Sequence, residues 1–87
     1  MRLKYNYEIM ELENHIIAVP NGDDVDAYRG VIKLNETGAI IFDQLKQETS
    51  AEAIAEVLAK EYEAPLDEII SDVKMYIAEF DKRGLLT

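Results

Sequence analysis

One stretch of this sequence decides the fold: Val31-Ile32-Lys33-Leu34-Asn35-Glu36-Thr37-Gly38-Ala39. Ile32 and Leu34 alternate with Lys33, which is the period-two pattern of a half-buried strand. Asn35 then offers a side-chain oxygen that can accept a hydrogen bond from an orphan backbone N–H at the start of a helix. The stretch therefore predicts a strand that passes directly into a helix.

Upstream of this junction lie two β-prone runs. They cover about residues 5–12 and 15–20, and the short polar break between them suits a tight hairpin. Pro20 and the turn residues after it end the second strand, and a loop leads to a third strand over about residues 30–34. A short antiparallel sheet of this kind leaves main-chain donors and acceptors unpaired along its edges, where a peptide can add as an extra strand.

Downstream, apolar residues follow helical spacing in three segments, over about residues 36–47, 50–63 and 66–83. Strands followed by helices predict an α+β fold, with a three-stranded antiparallel sheet followed by three helices, and residues 1–87 form one domain. In the third segment, Tyr76 makes the apolar face wider than one packing seam requires. The extra width is either additional core or an open groove.

Local signals refine the helices. Gly38 is a poor helix former, and we expect it to allow close approach of the backbone to the sheet rather than ligand contact. Thr49 and Glu52 have the spacing of a capping box at the start of the second helix. After the third helix, Leu85-Leu86 can fold back onto the core.

Charge and composition limit the possible partners. The formal net charge is −9, from 18 acidic and 9 basic side chains, and the basic residues are scattered. Nucleic acid is therefore a poor partner, whereas the acidity suits either solubility or attraction of a basic surface. No apolar run approaches the roughly 18 residues that span a bilayer, and no secretory signal is visible. We expect a cytoplasmic protein that does not enter a membrane.

Chemistry-bearing residues are sparse. The chain has no cysteine, and His15, its single histidine, has no nucleophile or metal ligand at a suitable spacing. The carboxylate-rich stretch Asp23-Asp24-Val25-Asp26 lacks the spacing of a calcium loop, so it is read as a solvated turn, with weak cation binding as the alternative. We therefore expect no catalysis, no metal site and no cofactor.

The strand order and the junction motif together resemble the PqqD family of peptide-binding domains. The resemblance rests on the junction 34–39 and the strand before it, and on three further places: Glu61-Tyr62, Asp72-Val73 and Arg83-Gly84-Leu85-Leu86. It implies a winged helix-turn-helix-like fold. It also implies a recognition element for the leader of a ribosomally made precursor peptide, presented to a maturation enzyme that is often a radical SAM protein. In the founding case the product is pyrroloquinoline quinone.

In similar proteins the leader adds as a strand beside the third strand and lies in a groove walled by the third helix. The peptide-binding residues that the resemblance implies here are Val31, Ile32, Lys33, Leu34, Ile69, Asp72, Val73 and Tyr76. Asp72 would favour a leader with Lys or Arg near its anchors, whereas Lys33 and Arg29 could meet an acidic residue.

Other functions remain open at this point. The domain could dock on an enzyme without touching a leader, and a homodimer could form through the same open edge. A winged-helix-like shape also suggests DNA binding, but the acidic second helix opposes phosphate contact. A carrier-protein-like domain is disfavoured because Ser50 and Ser71 lack the Asp-Ser-Leu context of such domains.

Overall fold

The computed structural model describes residues 1–21 and 31–87, which form an antiparallel sheet followed by three helices. The strands are β1 (Tyr7–Leu12), β2 (His15–Pro20) and β3 (Ile32–Leu34), and the helices are α1 (Glu36–Gln44), α2 (Ala51–Tyr62) and α3 (Leu66–Lys82). This order confirms the predicted α+β fold. The predicted loop, with its Asp23-Asp24-Val25-Asp26 stretch and the residues Arg29 and Gly30 before the third strand, lies outside the described residues.

The sheet has the order β1-β2-β3, and both pairings are antiparallel. In the second pairing Ala18 lies opposite Ile32, and Ile16 lies opposite Leu34. Within residues 1–21 and 31–87 no strand lies on the other side of β3, so β3 forms one edge of the sheet. Its alternate residues direct main-chain groups away from β2.

The helices cover one face of the sheet and bury a single core against it. This core contains Leu3, Tyr7, Ala18, Ile32, Ile41, Phe42, Leu45, Ile54, Ala55, Leu58, Val73, Phe80, Leu85 and Leu86. The ring of Phe42 lies at its centre, in edge-to-face contact with Tyr7 at 5.1 Å and with Phe80 at 5.4 Å between ring centroids. These ring contacts join the sheet, α1 and α3 into one packed unit.

The chain termini meet beside the end of α1. The backbone N–H of Leu3 donates to the carbonyl of Leu45 at 2.8 Å, and that of Lys4 donates to the carbonyl of Leu85 at 2.8 Å. Leu85 is fully buried and Leu86 nearly so, which confirms that this pair folds back onto the core. The contact with the N-terminal segment also gives a reason why α1 ends at Gln44 and not near residue 47.

The helix starts agree only partly with the sequence signals. Asn35 caps α1 as predicted, because its Oδ1 accepts from the Gly38 N–H at 2.7 Å. The cap of α2 is Ser50, whose Oγ accepts from the Ala53 N–H at 3.2 Å, so the prediction of Thr49 was wrong. Thr49 is held instead by the N-terminus, since its N–H donates to the Met1 carbonyl at 3.0 Å.

Candidate functional site

A groove of about 500 Å³ runs along α3 next to the start of α1. Its described lining residues are Thr37, Asp72, Met75, Tyr76 and Glu79. Those on α3 are spaced by three, four and seven residues from the first, so they form one stripe on the helix surface. The groove is therefore a property of one face of α3.

The junction after β3 connects the sheet edge to this groove. Asn35 follows the last residue of β3, and its Nδ2 donates to the Tyr76 hydroxyl at 2.6 Å. The same side chain caps α1 through its Oδ1. One residue thus fixes the end of the edge strand, the start of α1 and the tyrosine that lines the groove.

Gly38 makes this arrangement possible. A Cβ at this position would lie 3.0 Å from Asn35 Oδ1 and 3.2 Å from the Tyr76 ring, which is closer than most real contacts of such an atom. The expectation that Gly38 approaches the sheet is therefore corrected, because the close neighbour is α3. The glycine leaves room for the Tyr76 ring against the first turn of α1.

The residues that the sequence assigns to the site differ widely in exposure. Lys33 and Asp72 are exposed, as is Val31 just before β3, whereas Leu34, Ile69 and Tyr76 are half-buried. The remaining two, Ile32 and Val73, are 1% and 0% exposed. The side chains of Ile32 and Val73 therefore belong to the core and offer no surface to a ligand, although the main chain of Ile32 still lies in the edge strand.

Three lining residues were not assigned to the site from the sequence: Thr37, Met75 and Glu79. A signal for the last two was present, because they share the helical spacing of Asp72 and Tyr76. The exposure of Met75 is 69%, a large value for an apolar side chain on a helix. An exposed methionine within a polar stripe is therefore the feature that marks the groove.

The charge of the groove is negative. Asp72 and Glu79 line it, and the described lining includes no lysine or arginine. Arg83 Nε lies 3.5 Å from Glu79 Oε1, so this carboxylate has a partner in the residue that caps the C-terminus of α3. Among the described residues no ion pair involves Asp72.

The described part of the chain offers no cluster of metal ligands. No three His, Cys, Asp or Glu side chains there are grouped as a metal ion would require. His15 is exposed at the start of β2. No helix among residues 1–21 and 31–87 has the length and apolar character needed to cross a bilayer.

The described residues define a small α+β domain in which the edge strand β3 is joined through Asn35 to a helical groove. The sequence matches the family of Coenzyme PQQ synthesis protein D (PqqD) over residues 11–86, and the chain belongs to this family. Among solved structures it is similar to TbiB1 in complex with the TbiA(beta) leader peptide, with a TM-score of 0.74 and 14% identity. The similarity covers 99% of this chain and 94% of TbiB1. No match was found among curated proteins.

Proposed function

We propose that this chain is a non-catalytic recognition element that binds the leader of a ribosomally made precursor peptide and presents it to a modifying enzyme. Membership of the PqqD family supports this function, as does the fold shared with TbiB1, which was solved with a leader peptide. The observation that carries the proposal is the open edge of β3, joined through Asn35 to the groove along α3.

The proposed binding mode is strand addition. The leader pairs with the main chain of residues 31–34, and an apolar side chain of the leader enters the groove against Met75 and Tyr76. Two to four main-chain hydrogen bonds contribute roughly 0.5–1.5 kcal/mol each, and a buried apolar side chain contributes about 1.5–3 kcal/mol. After the cost of ordering the peptide, a dissociation constant of ~10 µM or weaker is expected.

The test is an NMR titration of the labelled chain with the leader of a precursor peptide encoded beside its gene. Shifts confined to the amides of residues 31–34 and to α3 from Ile69 to Glu79 are expected. Shifts that instead follow α2, or a uniform lack of shifts at several hundred micromolar leader, would contradict the proposed groove.

Strand addition has a second signature that leaves the protein unchanged. In a paired strand, alternate residues direct their N–H groups to the partner strand. Single N-methyl substitutions along the leader should therefore weaken binding at every second position and have little effect at the positions between. An N-methyl scan without this alternation would rule out pairing with β3, even if the leader binds.

The second proposed partner is the modifying enzyme, and the family resemblance favours a radical SAM enzyme. With these two partners, the proposed location of the domain is the cytoplasm, where precursor peptides are made. The same β3 edge could also pair with a second copy of the chain. In that case leader binding and dimerisation would compete, and the apparent affinity for leader would fall as protein concentration rises.

A further inference from the structure

We propose that the groove selects leaders in which one apolar side chain is flanked, two residues away on each side, by Lys or Arg. This inference rests on the proposed function, and it defines the class of leader that this chain reads. Its basis is the order of side chains along α3, where a carboxylate lies on each side of the exposed Met75 and the half-buried Tyr76.

The two carboxylates are about 3 Å closer together than the two flanking side chains of an extended peptide, which lie about 13 Å apart, and long Lys or Arg side chains can span that difference. Asp72 and Glu79 are separated by two turns of α3, which corresponds to about 10 Å along the helix axis. In an extended strand, side chains on the same face recur about every 6.7 Å. When an apolar side chain lies against Met75 and Tyr76, the side chains two residues before and after it lie within reach of Asp72 and Glu79.

The charge around the groove favours cations at both flanking positions. The described lining contains two carboxylates and no basic side chain, in a chain of net charge −9. Lys33 does not counter them at the groove, because it alternates with Ile32 and Leu34 and so points to the other face of the sheet. Because a carboxylate lies at each end of the groove, a cation is expected at both flanks whichever way the bound strand runs.

Arg83 makes the two ends unequal. It pairs with Glu79 at 3.5 Å, whereas Asp72 has no ion pair with another described residue. The preference for a cation should therefore be stronger at the flank that faces Asp72. Removing Arg83 should strengthen the preference for a cation at the flank that faces Glu79. Whether that flank is the N-terminal or the C-terminal one in the peptide shows the direction of the leader relative to α3.

The experiment is selection of a random dodecapeptide display library on the immobilised full chain. The expected result is enrichment of Lys and Arg, about threefold for each exposed ion pair, at the positions two residues either side of an apolar residue. Asp72→Asn should abolish the enrichment at one flank and Glu79→Gln at the other. Arg83→Gln should raise it at the Glu79 flank. Glu56→Gln removes an exposed carboxylate from α2, outside the groove, and should change nothing.

The outcomes separate this inference from the proposed function. Enriched peptides that carry an apolar residue but no flanking cations would overturn the charge pattern and leave leader binding intact. Equal loss of the enrichment in Glu56→Gln and Asp72→Asn would overturn it too, since the preference would then come from net charge. If selection yields peptides whose binding is unaffected by Met75→Ala, the groove is not the binding site, and the proposed binding mode fails together with the charge pattern.

Discussion

Asn35 shows how a single residue can couple a fold to a site. Its side chain accepts a hydrogen bond from the Gly38 N–H and donates another to the Tyr76 hydroxyl. The first bond is local and stabilises the start of α1. The second joins positions 41 residues apart and sets the place of a groove residue. A change at this position should therefore affect folding and binding by separable amounts.

A double-mutant cycle measures the second bond. Asn35→Ser keeps a capping oxygen but is too short to reach the Tyr76 hydroxyl, and Tyr76→Phe removes that hydroxyl. We expect a coupling free energy of roughly 0.5–1.5 kcal/mol between the two changes, from urea unfolding of the four proteins. Asn35→Ala serves as the control, because it also loses the cap and should cost about 1 kcal/mol more than Asn35→Ser. Strict additivity of Asn35→Ser and Tyr76→Phe would mean that the bond contributes nothing.

Gly38 provides the second prediction at this scale. Alanine is favoured over glycine inside a helix by about 1 kcal/mol, yet Gly38→Ala should not stabilise the chain, because the new Cβ meets Asn35 Oδ1 and the Tyr76 ring. In a Tyr76→Ala background the ring is gone, and the same substitution should then be more favourable by up to ~1 kcal/mol. Thermal unfolding of the single and double variants tests this. An equal effect in both backgrounds would show that the ring does not constrain this turn.

At the scale of elements, stability and binding depend on different faces of the C-terminal half. Leu85 is fully buried where the tail after α3 packs on the core, whereas Met75 is exposed in the groove. Leu85→Ala should lower the free energy of unfolding by about 2–5 kcal/mol and leave leader affinity unchanged in the folded fraction. Met75→Ala should instead change the free energy of unfolding by no more than ~0.5 kcal/mol and weaken leader binding. Loss of both properties in the Met75 variant would place this side chain in the core.

The same elements show what the sequence could and could not predict. The α1 cap was predictable because its two partners, Asn35 and Gly38, are only three residues apart in the sequence. An asparagine just before a helical pattern is a common N-cap, whose side-chain oxygen accepts a hydrogen bond from a backbone N–H of the first turn. The cap of α2 was not, because the N-terminus holds Thr49, a contact across 48 residues that no local pattern reports. The exposure of the predicted site residues was not predictable either, because it also depends on contacts between distant parts of the chain. Helical spacing places Val73 and Tyr76 near one another, but only packing decides that the first is core and the second lines a groove.

For the whole molecule, the net charge of −9 acts against both compaction and self-association. Acidic side chains outnumber basic ones by 18 to 9, and the described residues form three ion pairs, at least one partner of each being well exposed. Exposed pairs of this kind contribute little to stability. The β3 edge is also short and carries Lys33, and both features are typical of edges that resist uncontrolled pairing. A leader with flanking cations would relieve part of the repulsion that a second copy would increase.

The repulsion within one copy predicts that salt stabilises this chain. The radius of gyration is 12.9 Å and the longest extent is 39 Å, so at 0.01 M ionic strength, where the Debye length is about 30 Å, most pairs of charges lie within the screening distance of one another. At 0.3 M the Debye length is much shorter, so the repulsion between distant carboxylates is screened. Each 1 kcal/mol of relieved repulsion should raise the Tm by about 4–8 °C. Calorimetry in NaCl from 0.01 to 0.3 M measures this change, and Glu56→Gln, which removes one exposed carboxylate, should reduce it. A Tm that falls over this range would mean that attractive pairs outweigh the excess of carboxylates. In the repulsive case, a cationic leader should stabilise the domain most strongly at low salt.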